Sequence, residues 1–411
     1  MADQALSSVT NFALSVFVAR AVTPHEFGVF GLVFAAYLLL LNFSRALGSQ
    51  PMIIRFAAAE PDAQREAVPG AAGSALVVGV AATALVGIIA AFLSGGSRAS
   101  LLALAITLPG LLLQDTWRFI FFAIARPAAA AVNDGVWAGA QFIAFGALYA
   151  YGVRTAAPYV FAWGLAATIA AAWGLVQAHA LPGFPAGIRW LKAHRDIGPM
   201  LSLEFFATSA TGQLTLFCVA PFAGLDGVAS LRAAQVALGP LTILYAALLI
   251  VASPELARLY VRDPDRMARM AMLVGTVCAA AAAAVGIGVY FLPDSLGEAF
   301  LRDNWLPAHS VIIPSAIAVA FAGLMSGPFL QMRVLEAVKE TLTLRVGLLI
   351  FGVAAATIGA ILWQAKGSMW ALAIVTGIFT WLSWLKARNV LALKKSLAAE
   401  GAGPTRPTNA R

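Results

Sequence analysis

The feature that most constrains this chain is a set of twelve apolar stretches, each near the length with which a helix crosses a bilayer. Crossing ~30 Å of hydrocarbon takes about 20 helical residues. Charged residues make up only 11% of the chain, against about 25% in soluble proteins. The stretches are residues 2–20, 27–44, 69–93, 100–125, 128–151, 157–179, 200–222, 227–251, 269–292, 309–332, 341–363 and 368–388. The pattern predicts an all-α polytopic membrane protein with about 12 transmembrane helices.

The twelve stretches form two sets of six that resemble each other. The matching pairs are Asp3 and Glu204, Ser7 and Thr208, Thr10 and Thr211, Gly28 and Gly227, Pro51 and Pro254, and Gly110 and Gly323. A duplication of this kind predicts two pseudo-symmetric six-helix lobes. It favours a transporter, because two similar lobes can rock about a site held between them.

The repeat also predicts the domain boundaries. Residues 1–180 form an N-terminal lobe and residues 200–395 a C-terminal lobe. Residues 181–199 connect them, and residues 188–192 alternate apolar anchors with bases as an interfacial helix does. Residues 396–411 are rich in Ala, Gly, Pro and Thr, which is typical of a disordered tail.

Lysine and arginine are distributed unevenly over the loops, which predicts the orientation. Loops after even-numbered stretches, with the tail, hold nineteen such residues, and loops after odd-numbered stretches hold five. Because bases concentrate on the cytoplasmic side, both termini are expected in the cytoplasm. The first stretch lacks a basic lead and a cleavage site, so we expect a span and not a cleaved signal peptide. The net charge of +8 is explained by these bases without nucleic acid.

No pattern typical of an enzyme is found. The four histidines lie singly at the ends of stretches, and there is no phosphate loop, nucleophile elbow or CxxC pair. Cys218 and Cys278 lie within apolar runs and read as buried thiols. We therefore expect no enzymatic activity, no cofactor and no metal.

Three arginines fall inside apolar stretches, where charge is expensive and usually serves function. Arg118 lies one turn from Asp115, so it either contacts a ligand or forms a neutral pair that joins helices. Arg232, one turn from Gln235, has no acid in its own stretch and is the better candidate for an anionic ligand, although Asp134 or Glu204 could pair with it. Arg345 is the third.

Other polar residues in the stretches follow helical spacing. Asp3, Ser7 and Thr10 share one helix face, and so do Glu204, Thr208, Thr211 and Thr215. The two acids either line a central cavity or offset the dipole at helix N-termini. A third polar patch comprises Asn133, Asp134 and Gln141, and Asp134 is a candidate proton carrier. Single amides such as Asn11 and Gln213 more often join helices.

The first loop carries a family resemblance. Residues 19–30 read ARAVTPHEFGVF, which resembles the L-G-P-x-E-F-G-x-F turn of bacterial polysaccharide exporters. These are the O-antigen flippase-like branch of the multidrug/oligosaccharidyl-lipid/polysaccharide superfamily. Residues 3–6 with 10–12, residues 44–47 and residues 189–195 also look like that branch. The chain departs from it by beginning almost inside the first helix, so the true N-terminus lies upstream of Met1 or Asp3 lies nearer water.

The resemblance implies two lobes in a V, alternately open to each face of the bacterial cytoplasmic membrane. Its substrate would be a lipid-linked oligosaccharide, such as an undecaprenyl-diphosphate-linked glycan, with membrane lipids and glycan-synthesis proteins as partners. The expected substrate-binding residues are Arg232, Arg118, Gln235, Asn11, Thr10, Thr211, Gln213 and Arg345. The expected ion-coupling residues are Asp3, Glu204 and Asp134.

Two other functions remain open from the sequence. The first is an ion-coupled multidrug exporter of the same superfamily, in which Asp3, Asp134 and Glu204 are the coupling sites. The second is a membrane scaffold of a glycan-synthesis complex, in which loop bases such as Arg262 and Arg266 contact the partner proteins.

Overall fold

A computed structural model describes residues 2–401, with side chains described for 10–241, 244, 245 and 247–397. Every regular element in this part of the chain is helical. The helices are α1 (Ala2–Ala21), α2 (Pro24–Ser44), α3 (Gln50–Phe56), α4 (Pro61–Ala91), α5 (Gly95–Ala123), α6 (Pro127–Ala150), α7 (Ala156–Ala178), α8 (Phe184–Ala193), α9 (Gly198–Ala237), α10 (Pro240–Arg262), α11 (Pro264–Tyr290), α12 (Asp294–Leu301), α13 (Trp305–Val334) and α14 (Val338–Gly401). A π-helix, Arg45–Ser49, joins α2 to α3, and a 3₁₀ turn, Arg302–Asn304, joins α12 to α13.

The predicted all-helical membrane fold is confirmed. Eight helical segments of the described chain are long and apolar enough to cross a membrane. Two of them contain a backbone break and hold parts of two predicted spans: α9 at Gly224 (φ +67°) and α14 at Trp363 and Gln364 (φ +52°). Apart from residues 227–251, each predicted stretch coincides with one helix or half-helix; the largest differences are at residue 44, where helical structure continues to Phe56, and at residue 388, where α14 continues to Gly401.

The predicted span over residues 227–251 is not one continuous helix, because a turn interrupts it. The chain is helical to Ala237, turns at residues 238–239 and begins α10 at Pro240. Proline lacks the backbone N–H that a continuous helix would use, and its ring clashes with the carbonyl four residues earlier. The apolar run concealed this break because hydropathy does not register backbone hydrogen bonding.

The second predicted span, residues 27–44, is too short. Helical structure continues without a loop through the π-helix and α3 to Phe56. Arg45, counted as a loop base in the sequence, therefore lies in a helix, with a side chain only 22% exposed. Removing it from the count leaves the uneven distribution of bases intact.

Helix starts follow local chemistry that the sequence displays. The Thr23 hydroxyl accepts a hydrogen bond from the Glu26 backbone N–H at 3.4 Å, and Pro24 begins α2. Likewise the Asp263 carboxylate accepts from the Arg266 backbone N–H at 2.9 Å, and Pro264 begins α11. In both cases a side chain satisfies an N–H that the first helical turn leaves unpaired.

Unit 1 of the chain comprises Met1–Ala237, Leu292–Val311 and Ala356–Ser368. Its α5 and α7 pack at very short range: a Cβ on Gly164 would lie 2.0 Å from the Thr107 hydroxyl, and one on Gly174 would lie 2.3 Å from the Trp117 ring. Small residues permit such close helix contacts in membranes. The fully buried Trp117 donates to the Ala171 carbonyl at 3.1 Å and fixes the pair.

Unit 2 comprises Leu238–Phe291, Ile312–Ala355 and Met369–Arg411. Its core is apolar and centres on Leu256, Met267 and Ala271. The two units are defined by contacts between residues, whereas the predicted lobes are defined by the sequence repeat, so the lobes remain a prediction.

The predicted tail begins at residue 396. Helix α14 reaches Gly401, inside the predicted tail, and residues 402–411 lie outside the described part of the chain.

Candidate functional site

A partly buried ion pair joins the end of α2 to α5 in unit 1. Arg45 donates to both oxygens of the Asp115 carboxylate, with Nε at 2.7 Å from Oδ2 and Nη2 at 2.6 Å from Oδ1. The geometry is the bidentate fork in which a guanidinium binds a carboxylate most strongly. The π-helix, a local widening of the helix often found at functional sites, begins with Arg45.

Arg118 extends this pair into a cluster of four charges. Its Nη2 lies 3.2 Å from Asp115 Oδ1, and its Nη1 lies 3.6 Å from Asp134 Oδ2. All three side chains are buried. Two arginines therefore face two aspartates, and the group has no formal net charge. Arg118 therefore forms the ion pair with Asp115 that was one of its two interpretations from the sequence, and it also pairs with a second carboxylate, that of Asp134.

Amide side chains surround the Asp134 end of the cluster. Gln114 donates to Asp134 Oδ1 at 2.8 Å, and Asn133 donates to the Gln177 side chain and to the Ala170 carbonyl, both at 2.9 Å. These bonds join α5, α6 and α7, and in each of them the donor is an amide that does not ionise. Gln141, the third member of the predicted patch, is buried on α6, and its Nε2 has no hydrogen-bond acceptor among the described residues.

Arg232 lies in a different environment. Its Nη2 donates to the Ser15 hydroxyl of α1 at 3.1 Å, and its Nη1 donates to Gln235 at 3.3 Å. Its Nε is buried without an acceptor among the described residues. Within the described side chains it has no carboxylate partner, and in particular it does not pair with Asp134 or Glu204.

The groups around Arg232 stabilise a positive charge without a carboxylate partner among the described side chains. The guanidinium carbon lies 4.5 Å from the centre of the Phe34 ring, a cation–π contact. Gly31, one turn before Phe34, leaves room for the aliphatic stem, since a Cβ there would lie 3.3 Å from Arg232 Cγ. Neutral and aromatic groups thus hold the charge in place and leave its electrostatic attraction for anions uncompensated.

The other predicted residues of unit 1 lie along α1 and α9. Asn11 is exposed, and its carbonyl accepts from Ser15 at 3.1 Å. Gln235 is exposed beside Arg232, and Glu204 is exposed on the first turns of α9. Thr10, Thr211 and Gln213 are partly buried. The side chain of Asp3 lies outside the described residues.

Arg345 belongs to unit 2 and not to the unit that holds the other two arginines. Its guanidinium carbon lies 5.0 Å from the centre of the Phe329 ring. Unit 2 also has a groove of about 340 Å³ between α10 and α11 with a mostly apolar lining. None of the predicted site residues lines it.

Four residues of these environments were missed in the sequence. Ser15 follows the candidate residue Asn11 by four positions, so helical spacing counted from Asn11 would have found it. Arg45 was missed because the apolar run ends before it. Phe34 and Tyr37, whose ring centres lie 5.9 Å apart, are aromatic residues in an apolar helix, and nothing in the sequence distinguishes them from core.

A further group of contacts in unit 1, which we call the odd-loop clamp, fastens α12 and the 3₁₀ turn to α1, α6 and the α6–α7 loop. Arg20 donates to the Ala299 carbonyl in the last turn of α12, and the Arg302 guanidinium donates to the Tyr149 hydroxyl at 2.8 Å. The clamp also contains the Arg154–Asp303 ion pair at 3.5 Å and the bond from Asn304 Nδ2 to the Ala19 carbonyl at 2.7 Å. Its residues all belong to loops or helix ends on the side of the odd-numbered loops.

No protein-family model matches this chain, and no curated protein matches it. Solved structures do. The chain is similar to a multidrug resistance MATE family transporter of the MOP superfamily in an inward-facing conformation, with 14% identity over 94% of this chain and 95% of that chain and a TM-score of 0.74. It is also similar to the lipid II flippase MurJ in an inward closed conformation, with 11% identity over 94% and 86% of the two chains and a TM-score of 0.72.

A third similar structure is a MOP superfamily transporter from Pyrococcus furiosus, with 13% identity over 96% and 94% of the two chains and a TM-score of 0.60. In that transporter, reverse polarity of the binding pocket suggests a different function. At these identities the likeness establishes the fold and nothing finer. The chain is a multi-pass membrane protein with the fold of MOP superfamily transporters.

Proposed function

We propose that the protein is an alternating-access flippase or exporter that moves a lipid-linked oligosaccharide or polysaccharide precursor across the bacterial cytoplasmic membrane, with both termini in the cytoplasm. The observation that carries this proposal is Arg232, a buried arginine held by a serine, a glutamine and an aromatic ring, with no described carboxylate beside it. A guanidinium offers paired donors that match the oxygens of a phosphate or diphosphate.

An anionic substrate is also supported by the pairing of the buried aspartates with arginines. Asp115 and Asp134 both face arginines, so neither is a free anion that would attract a cationic drug. A flippase for a diphosphate-linked glycan needs the opposite, a cation without an internal counter-ion. We place the diphosphate at Arg232 and the glycan along the polar groups of α1 and α9, including Asn11, Thr10, Thr211 and Gln213. Arg345 is a further candidate contact.

We assign ion coupling to Asp134, Glu204 and Asp3, and Asp134 is the strongest candidate of the three. Its carboxylate contacts Arg118 and Gln114, so protonation would weaken the ion pair that Arg118 forms with it. A proton that changes the pairing of a buried arginine gives a physical link between an ion gradient and the arrangement of helices. Replacing Asp134 by Asn should leave binding intact and abolish the dependence of flux on the proton gradient, whereas replacing the exposed Asp62 should change neither.

The decisive experiment is reconstitution of the full chain into vesicles with an undecaprenyl-diphosphate-linked glycan on one leaflet. Arg232→Ala should reduce flux at least about tenfold, and Arg232→Lys should retain part of it, because lysine keeps the charge but loses the fork. Arg98→Ala, a change at an exposed base, is the matched control. Flux unchanged by Arg232→Ala would overturn the assignment of the site.

A multidrug exporter is the second candidate, favoured specifically by the similarity to MATE family transporters. In that case vesicles would accumulate a cationic dye, glycan flux would be absent, and Asp134→Asn would stop dye transport.

A membrane scaffold is the third candidate. It would transport neither the glycan nor the dye, while substitution of loop bases such as Arg262 would release glycan-synthesis proteins from the purified complex.

A further inference from the structure

Helix α8, which connects the two repeats, is fixed to unit 1 by one of its faces. A Cβ on Gly187 would lie 2.3 Å from the Gly73 backbone of α4, so the two helices are in direct backbone contact. Trp190 is buried 5.5 Å from the Phe56 ring and 4.1 Å from the His194 ring, between ring centres. One face of the helix is therefore packed against unit 1, and its other faces carry the exposed side chains.

The face next to the buried one is apolar and exposed. Phe184 and Ile188, four residues apart on one side of the helix, are 45% and 38% exposed, and Leu181 just before the helix is 77% exposed. Apolar side chains at helical spacing with nothing packed over them are suited to acyl chains at the surface of a bilayer.

The third face is basic. Arg189 and Lys192 lie one turn apart and are exposed, and Arg195 follows in the next turn. None of the three has an ion-pair partner among the described side chains, although Arg55 and Asp196 pair close by. Around its axis, α8 thus has a face packed on protein, then an exposed apolar face, then a basic face without an ion-pair partner among the described side chains.

We propose that the outer surface of α8 and of the turn that follows it, formed by Phe184, Ile188, Arg189, Lys192 and Arg195, binds the headgroups of anionic phospholipids in the membrane leaflet on the side of the even-numbered loops. The bases pair with headgroup phosphates while the adjacent apolar face enters the acyl region. An acidic protein would match the bases but not the apolar face, and free phosphate would not need that face. The surface is separate from the proposed transport site and does not depend on the substrate.

The test uses the purified full chain in detergent, titrated with phosphatidylglycerol or phosphatidylcholine, with bound lipid counted by native mass spectrometry. Wild type should bind phosphatidylglycerol in preference, and added salt should weaken that binding because ions screen the bases. Arg189→Gln/Lys192→Gln should weaken it about 30-fold, from the typical contribution of each base near a membrane surface. An unchanged melting temperature in phosphatidylcholine shows that the variant is folded.

The matched control is Arg262→Gln/Arg266→Gln, which removes two exposed bases from the predicted same side of the membrane. It should retain the phosphatidylglycerol preference. The proposal is overturned if both double variants bind phosphatidylglycerol equally, or if wild type does not distinguish the two lipids. It is also overturned if inorganic phosphate competes away the lipid, or if the α8 bases prove to bind an acidic protein with lipid binding unchanged.

Discussion

At the scale of single residues, Asp115 is the centre of the buried cluster, because two arginines donate to one carboxylate. A buried charge that loses its partner costs about 3–5 kcal/mol of folding free energy. Arg118 keeps Asp134 as a partner and the Arg45 side chain is 22% exposed. We therefore expect Asp115→Asn to lower the free energy of unfolding by at most that amount, measured by unfolding the purified protein in mixed detergent micelles.

The control for this prediction is Asp62→Asn, which breaks an ion pair with Arg65 whose side chains are 90% and 81% exposed. An exposed pair contributes at most about 1 kcal/mol, so the control should be nearly silent. Equal effects of the two substitutions would show that the buried cluster does not stabilise the fold.

A second residue-scale prediction concerns pH and the Arg55–Asp196 pair beside α8. Desolvation raises the pKa of Asp196, but the hydrogen bond from Arg55 outweighs it together with bonds from backbone N–H groups, so the pKa lies below its usual value. A lowered pKa means that the pair stabilises the fold above the ordinary aspartate value of about 4 and that this contribution is lost as the pH falls through the lower, folded value.

The measurement is the melting temperature of wild type and Asp196→Asn between about pH 3 and 7. The difference between them should be largest near neutral pH and should shrink on acidification. A difference that is constant with pH would mean that the Asp196 carboxylate contributes nothing through its charge.

At the scale of elements, the contact of α2 with α9 depends on Gly28. A Cβ at this position would lie 2.0 Å from the Leu225 carbonyl oxygen, which is a backbone atom that cannot rotate away. Gly28→Ala should therefore separate the two helices, lower the melting temperature by several degrees and reduce transport.

Gly139→Ala in α6 is the matched substitution, since no heavy atom lies within 4 Å of the added Cβ. It should be neutral or stabilise by up to about 1 kcal/mol, as alanine favours a helix over glycine. Similar melting temperatures for the two variants would contradict the inferred close contact.

The sequence predicted the positions of helices better than it predicted side-chain contacts, and its errors in helix position have a clear physical reason. Hydropathy located the long apolar helices because a local window measures apolar surface, whereas the short α3 and α12 were not predicted. It missed the turn before Pro240 and the extension through Arg45 to Phe56, because both depend on backbone hydrogen bonds. Polar residues inside apolar runs identified Arg232 and Asp134, but their partners Ser15, Phe34 and Gln114 are fixed by helix packing, which spacing in one helix cannot reveal.

At the scale of the whole molecule, the odd-loop clamp bears on alternating access. If transport opens the side of the odd-numbered loops, the clamp contacts must break in each cycle. Weakening the clamp with Arg154→Ala/Asn304→Ala should shift the protein toward the open state by about tenfold, the effect expected from one buried hydrogen bond and an exposed ion pair.

A cysteine at Val22, a site only 2% exposed in this structure, reports on that state in a background in which Cys218 and Cys278 are replaced by alanine. Its reaction with an impermeant maleimide should accelerate in the clamp variant. It should not accelerate in Arg65→Ala/Arg258→Ala, which alters exposed pairs elsewhere. Equal rates in the two variants would mean that the clamp does not control opening.

The five-residue π-helix at Arg45–Ser49 has a consequence for comparing this chain with distant homologues. A wide turn of this kind corresponds to one amino acid inserted into an ordinary helix. A homologue lacking the insertion would align without a gap by sequence, yet every position from there to one end of the helix would be displaced by about 100° around its axis. Arg45, which donates to Asp115, would then be aligned with a residue that does not occupy the equivalent position. The homologue would seem to lack this arginine only because the alignment is shifted by one residue.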